Sequence, residues 1–508
     1  MEFQVIEQEL SVCETLLDTF SEQPVDMDFV LPDYCPDIAA VLKCTLEATI
    51  QSRQQNGDRL TADGTATVRV LYLDEERKCV RCCEFSQPFS ASFPLPAAPI
   101  GALVRLSAKP DYINCRATSP RRLDVHGAFT VKLTVTAAGS GSVIADIAGD
   151  GVYTRKQPFC YTVPSGSAEK VFTISEVMEL GAGKQPAEQL LRSEIVPLVT
   201  EVKPLAGKAI LKGNLLIRAL YITDSVNGDT ETVQKELPFS QIIDVEGLTD
   251  DQNCEIELQL LSAELGLSAN QNGESGLLSV GAKLLACVRC YRQMQAEAVT
   301  DAYSVHCPLS LNSRRLETSC LTAMRQDVQT IRQSFALPSE EVRDIPDVWC
   351  EVTSLTPRTD GNRMVMDGRL LICMLTRSAG GEIAYYERTD PFTLDADDEC
   401  DAMTATAQVT RVEYNITGGG QMELRVQLMF SRNCYRTTGC TVLSEAAADA
   451  TATFPPDPAA LKIYYANRGE SLWEIAKSCH TSIQAVMEEN HLPGEVLEEP
   501  AMLLVPLV

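Results

Sequence analysis

Leu60 to Leu73 reads LTADGTATVRVLYL, and the pattern returns as AILKGNLLIRALYI over 209–222 and as MVMDGRLLICMLTR over 364–377. In each run a glycine is followed by alternation. The residues two, four and six past Gly64, Gly213 and Gly368 are Ala66, Val68 and Val70; Leu215, Ile217 and Ala219; and Leu370, Ile372 and Met374. Apolar side chains at every second position mark a strand with one face in a core. One such strand is a weak signal, but three in step define a repeat.

Two further anchors keep pace with the glycines. FVLPDYCPDIAAVLKC (29–44), MELGAGKQPAEQLLRS (178–193) and FALPSEEVRDIPDVWC (335–350) share an apolar-x-Leu entry, a small turn and a proline. A proline is tolerated at the first position of a helix, so each of these is expected to open a short helix. Leu31 precedes Gly64, and Leu180 precedes Gly213, by 33 residues; Leu337 precedes Gly368 by 31. The third anchor follows each glycine strand: RRLDVHGAFTVKLTV (121–135), GLLSVGAKLLACVRC (276–290) and QMELRVQLMFSRNCY (421–435), again alternating. Gly- and Pro-rich loops such as SVNGDT and AAGSGS separate them. The expectation is a mainly β chain of three tandem, sandwich-like units at 1–163, 164–318 and 319–445. A polar, Ala- and Pro-rich linker follows at 446–460, and then a small α+β module at 461–508.

Composition narrows the partners. The 508 residues carry a net charge of -27, which repels nucleic acid and anionic membrane surfaces. No apolar run is long enough to span a membrane. The first residues lack a basic and then apolar leader pattern. Nineteen cysteines without small-domain spacing point to reduced thiols.

The last segment, KIYYANRGESLWEIAKSCHTSIQAVMEENHLPGEVLEEPAMLLVP from Lys462 to Pro506, is the most legible. Ile463 to Ala466 suits a strand. Ser471 is placed to cap a helix over Leu472 to Cys479, with Glu474 completing a capping box. A second helix from Ser482 ends near Asn490, and Leu503 to Val505 closes the unit as a strand. Tyr464, Gly469-Glu470-Ser471-Leu472-Trp473, Ile475-Ala476, Asn490-x-Leu492 and Val505-Pro506 together resemble the LysM module. That resemblance implies a βααβ fold built on Tyr464, Trp473, Ile475, Ala476 and Val505. It also implies a shallow groove for N-acetylglucosamine-containing glycan, flanked by Gly469, Glu470, Ser471 and Leu472 on one side and Asn490, His491 and Leu492 on the other. Seven Glu against three basic residues in the segment leave a protein-docking surface as the alternative.

Three β-units followed by a LysM module resemble the SPOCS and LysM proteins of endospore-forming bacteria, the SipL-like spore-envelope morphogenetic family. The resemblance implies a non-enzymatic adaptor in the mother-cell cytoplasm, recruited to the forespore surface. Its partners would be a basement-layer ATPase resembling stage IV sporulation protein A, other coat proteins and, on the alternative reading, glycan. A peptidoglycan-binding cortex anchor and a self-assembling coat component are the competing roles.

Catalytic chemistry finds few candidates. The four histidines are His126, His306, His480 and His491, and neither H-E-x-x-H nor G-x-S-x-G occurs. LGAGKQ (180–185) lacks the spacing and the Ser or Thr of a phosphate loop and aligns with a repeat turn. Cys79, Cys82 and Cys83, and Cys287 with Cys290, have zinc-like spacing, but each cluster lacks a second half. No catalytic residue, metal or cofactor is expected.

Overall fold

The computed structural model describes the chain except residues 1–2, 96–101, 182, 270–275, 340–341, 362, 397–398, 418–419, 450–451, 455–458 and 508. Strand accounts for 79% of it. The first unit contains β1 (Phe3–Val30), β2 (Ile38–Asn56), β3 (Arg59–Asp74), β4 (Val80–Pro94), β5 (Leu103–Ser119) and β6 (Arg122–Gly149). The second contains β7 (Val152–Glu179), β8 (Gln189–Leu205), β9 (Lys208–Asp224), β10 (Asp229–Asp244), β11 (Asn253–Ser268) and β12 (Leu277–Ser304). The third contains β13 (Leu309–Ala336), β14 (Val342–Asp360), β15 (Arg363–Ser378), β16 (Ile383–Asp395), β17 (Ala402–Thr417) and β18 (Gln421–Ala448).

Each unit is two antiparallel three-stranded sheets with one topology. In the first, β2-β3-β4 faces β1-β6-β5; the others repeat this as β8-β9-β10 with β7-β12-β11 and β14-β15-β16 with β13-β18-β17. The glycine strands are the central strands β3, β9 and β15, and the third anchors begin the central strands β6, β12 and β18. Ala66, Val68 and Val70 meet Val125, Val131 and Leu133 in one core, as the alternation requires.

The glycine has a steric reason. Gly64, Gly213 and Gly368 lie directly across from Phe89, Phe239 and Phe392 on the neighbouring strand. A Cβ on Gly64 would stand 2.6 Å from Phe89 Cζ, and one on Gly213 would stand 2.5 Å from Phe239 Cζ. An aromatic ring thus lies over the same bare backbone in all three units.

No helix forms at the expected prolines. Residues 31–37 are turn, and Ile38 to Asn56 is strand. The reason is a cluster of bulges: β2 shifts register between Ile38 and Ala40, between Val41 and Lys43 and between Ile50 and Ser52. β14 does so at Val342/Asp344, Asp344/Asp347 and Val352/Ser354. Each bulge adds a residue to one strand, which stretches the period of two and imitates helical spacing. Pro346 falls within such a shift, where a strand tolerates the missing N–H.

The joins expected after residues 163 and 318 fall inside β7 and β13, each hydrogen-bonded along its length to the central strand of its own unit. Strand pairing divides the units at 150–151 and 305–308 instead, and β18 runs to Ala448. The first strand of each unit has only a few buried residues, in β7 Phe159, Tyr161, Val163 and Phe172.

The units close on one another. Strands β6, β12 and β18 touch pairwise, and β4 meets β8, β10 meets β14 and β16 meets β2. The far ends of the glycine strands supply a shared core of Leu71, Leu73, Leu220, Ile222, Cys373 and Leu375, with Leu191 and Trp349. This explains why those strand ends lose their alternation and become apolar throughout. Cys160 on β7 and Cys320 on β13 form a disulfide between the second and third units, in contrast to the all-reduced expectation. Cys254 and Cys290 lie side by side in the second core with sulfurs 2.9 Å apart.

After the β-units come β19 (Leu461–Ala466), α1 (Leu472–Cys479), α2 (Ile483–Asn490) and β20 (Ala501–Pro506), with β19 and β20 antiparallel. Ala466, Leu472, Ile475, Cys479, Val486, Leu503 and Val505 form the core of this module. No helix among the described residues is long and apolar enough to cross a membrane.

Candidate functional site

Both helices begin at serine caps, although Glu474 makes no hydrogen bond back to Ser471 N–H and the expected capping box does not close. Ser471 Oγ accepts from Trp473 N–H, and Ser482 Oγ accepts from Ala485 N–H. His480 and His491 end them in the left-handed conformation at φ 52°. The two loops expected to flank a groove are stitched together. Gly469 N–H donates to Leu497 O (2.8 Å), Leu472 N–H donates to Glu495 O (2.8 Å), and Leu497 N–H donates to Glu470 O (3.2 Å).

These bonds decide which of the expected contact residues are free. Leu472 is fully buried. The Asn490 amide donates to Val486 O and Leu504 O and accepts from Leu504 N–H, so it fastens α2 to β20. Glu470 accepts from Tyr464 O–H (2.5 Å) and from Asn467 N–H (2.9 Å). Those two donors hold its carboxyl below the usual carboxylate range, the tyrosine contributing most. Gly469 and His491 are exposed, and Ser471 and Leu492 are half-buried.

The module is not a loose appendage. Trp473, expected in the module's core, instead packs with Ala476 against Tyr303 at the end of β12, the two rings edge-on at 5.0 Å. The indole N–H donates to Asp301 Oδ2 (2.8 Å), and Lys477 Nζ reaches both oxygens of the same carboxylate at 2.7 Å. Tyr303 O–H donates to Thr481 O (2.8 Å). Phe454, from the segment before the module, stacks on His480 at 3.7 Å, while its N–H donates to His306 O. Burial here pulls the His480 imidazole below its ordinary value, and Lys462 adds to this. α1 is therefore two-faced: Leu472, Ile475 and Cys479 point into the module, and Trp473 points at the second unit. One residue of offset separates these faces, and only the partner unit distinguishes them.

Docking also creates a shallow cavity of about 550 Å³ at the seam, lined by Tyr153 of β7 and by Ile483, Gln484, Met487, Glu488, Leu492 and Glu495. Of the expected contact residues only Leu492 lines it. Tyr153, which stacks on Tyr303 at 5.2 Å, lies more than three hundred residues away in the chain and carried no local signal.

The remaining candidates are dispersed. His126 lies on the surface of β6 between Asp26 (2.8 Å) and Asp124 (2.9 Å). Its pKa is raised, by the Asp26 hydrogen bond first and then by Asp124. Lys184 of the LGAGKQ turn pairs with Glu231 at 3.2 Å. Cys290 is in the core and Cys287 faces outward near Glu169, as a spacing of three in a strand dictates. Among the described residues no group of three or more His, Cys, Asp or Glu is placed to hold a metal.

The architecture is three two-sheet β-units carrying a docked βααβ module. Comparison with known families gives these parts names. The family described as SipL, SPOCS domain matches residues 37–118 and 186–267, and the LysM domain family matches 464–506. The chain thus carries two regions of the SipL SPOCS family and one LysM domain, and the link to sporulation follows from the SipL family. The SPOCS matches span β2 to β5 and β8 to β11, and the third unit has the same strand order. No curated protein and no solved structure matches the chain.

Proposed function

We propose that the chain is a non-enzymatic morphogenetic adaptor of the spore coat. Made in the mother cell, it binds the basement layer on the forespore surface, through an ATPase resembling stage IV sporulation protein A, and recruits or anchors coat proteins. The observation that carries this reading is the docked module. Trp473, Lys477 and Thr481 fix it to the second unit, while its loops and the outer side of its sheet stay open. A small binding module held rigidly on a larger β-body presents two surfaces at a set distance, which raises the effective concentration of whatever each one holds. The test is to delete residues 461–508 and follow a fluorescent fusion during sporulation. Loss of forespore recruitment and of ATPase co-purification is expected; unchanged recruitment would overturn the adaptor reading.

A second reading, a peptidoglycan-binding anchor, is favoured by the seam cavity, where the aromatic Tyr153 stands opposite Gln484, Glu488 and Glu495. An aromatic face with a few polar groups is the composition a sugar ring selects. Full-length protein sedimenting with purified peptidoglycan, and losing that ability on Tyr153→Ala, is the expected result; a Tyr153-independent pellet would count against this site.

A further inference from the structure

The strongest unexplained feature of the module is the outer side of its sheet. In the β19–β20 register Tyr465 lies opposite Met502, Ile463 opposite Leu504 and Leu461 opposite Pro506, so these six side chains share one face. The other face, carrying Ala466, Leu503 and Val505, is the one the helices cover. Among the described residues the outer face has no cover: Leu461 is 45% exposed, Ile463 56%, Tyr465 76% and Met502 57%. Four large apolar residues so exposed on a module of under fifty residues make a patch that solubility alone disfavours, and such patches mark binding surfaces.

The sheet also has one open edge. Among the described residues β19 has a single strand neighbour, β20. The other edge of β20 is closed where the Asn490 side chain takes both the N–H and the C=O of Leu504, as a neighbouring strand would. β19 therefore combines an apolar face with an unpaired backbone, the two features that strand addition uses: main-chain hydrogen bonds for affinity and alternate side chains for selectivity.

Charge decides the occupant. The module has seven Glu and three basic residues: Lys477 is committed to Asp301, Lys462 of β19 lies on the helix-covered face on the side of His480, and Arg468 stands in the turn after β19. Glu498 and Glu499 are exposed just before β20. A second copy of a chain with net charge -27 would be repelled. We propose that β19 accepts an extended segment of another protein as an added strand, with apolar side chains on the outer face alternating with Lys or Arg toward the acidic rim. This site gives the adaptor its attachment and rests on that reading for its biology, but its chemistry stands apart from it.

The test is peptide selection from a random displayed library on the full-length chain, with affinities of the selected peptides then measured by fluorescence anisotropy. The comparison variants are Ile463→Thr with Tyr465→Thr, which keeps strand-favouring residues and leaves the core untouched, and Glu498→Gln with Glu499→Gln. Expected are peptides alternating apolar and basic residues, bound at least tenfold more weakly by the Thr pair. The Gln pair should bind several-fold more weakly at low salt only, with the melting temperature of both variants unchanged. The proposal is overturned by selection of helically spaced or acidic peptides, by no consensus at all, or by affinity indifferent to the Thr pair. It is equally overturned by concentration-dependent oligomers, or by peptidoglycan binding, that the Thr pair abolishes, since the face would then belong to a second copy or to glycan. Correct selection together with normal recruitment of the 461–508 deletion would refute the adaptor reading and leave the strand site standing.

Discussion

Asp301→Ala should release the module from the second unit while leaving both folded. Asp301 accepts the Trp473 indole N–H at 2.8 Å and the Lys477 ammonium at 2.7 Å. A hydrogen bond to a charged acceptor contributes about 2 kcal/mol. The ion pair adds at most about 1 kcal/mol, since the side chains are 26% and 37% exposed and solvent screens them. The loss of about 3 kcal/mol shifts the docking equilibrium roughly a hundredfold. The chain has two tryptophans, Trp349 at 3% exposure and Trp473 at 5%, so undocking is visible in emission. A red shift is expected in Asp301→Ala, and it should persist in a Trp349→Phe background, where Trp473 alone reports. The far-UV spectrum and the main melting transition should not move. Emission superimposable on the parent would mean that Asp301 does not hold the module. A lowered main transition would mean that Asp301 supports the β-body instead.

Four other outcomes follow from the geometry. Ile475→Ala, which removes a fully buried side chain from the module core, should cost about 2–5 kcal/mol and abolish the module's own melting transition, unlike Asp301→Ala. Gly368→Ala should cost about 1–3 kcal/mol because Phe392 lies over the site, and Phe392→Leu should recover part of that loss in a double-mutant cycle of melting free energies. Burial lowers the His480 pKa, so the unfolded chain binds the extra proton; the stability of the module in its packed position should fall as pH drops below about 6.5 and hold above it. His480→Asn, which keeps a residue suited to the left-handed cap, should flatten that dependence of Trp473 emission; the opposite sign expected from His126 arises in the first unit, away from this reporter. Reduction of Cys160–Cys320, which spans 160 residues of chain, should lower stability by up to about 5 kcal/mol on the chain-entropy account; an unchanged urea midpoint in Cys160→Ser would show that the packed units, not the bond, hold the seam.

The glycine strands were legible because a half-buried strand writes its burial directly into a period of two. The other half of that signal is also in the chain: Pro-Phe stands at 88–89, 238–239 and 391–392, and each Phe covers its glycine. The expected helices rested on a proline's tolerance at a helix start, and a proline is equally tolerated just before or inside a bulged strand such as β2 or β14. The module's elements were legible to within two residues, and α1 to the residue, since caps at Ser471 and Ser482 are local chemistry. The surroundings of Trp473 and Tyr153 were not, because what each touches lies in a different part of the chain. Asn490 was expected at a ligand and is engaged by Leu504 instead, a choice that only the position of β20 reveals.

The pairwise meeting of β4 with β8, β10 with β14 and β16 with β2 has a consequence for assembly. Each contact is head-to-tail, the kind that builds an endless filament when the last copy fails to reach the first. Here the third unit returns to the first within one chain, so every head already has its tail and none is left to recruit another. A body closed in this way cannot polymerise through these contacts, so on the adaptor reading it bridges two partners without extending either. Any layer it joins must grow by the neighbours' contacts, and the number of these chains sets how many attachment points that layer has, not how far it extends.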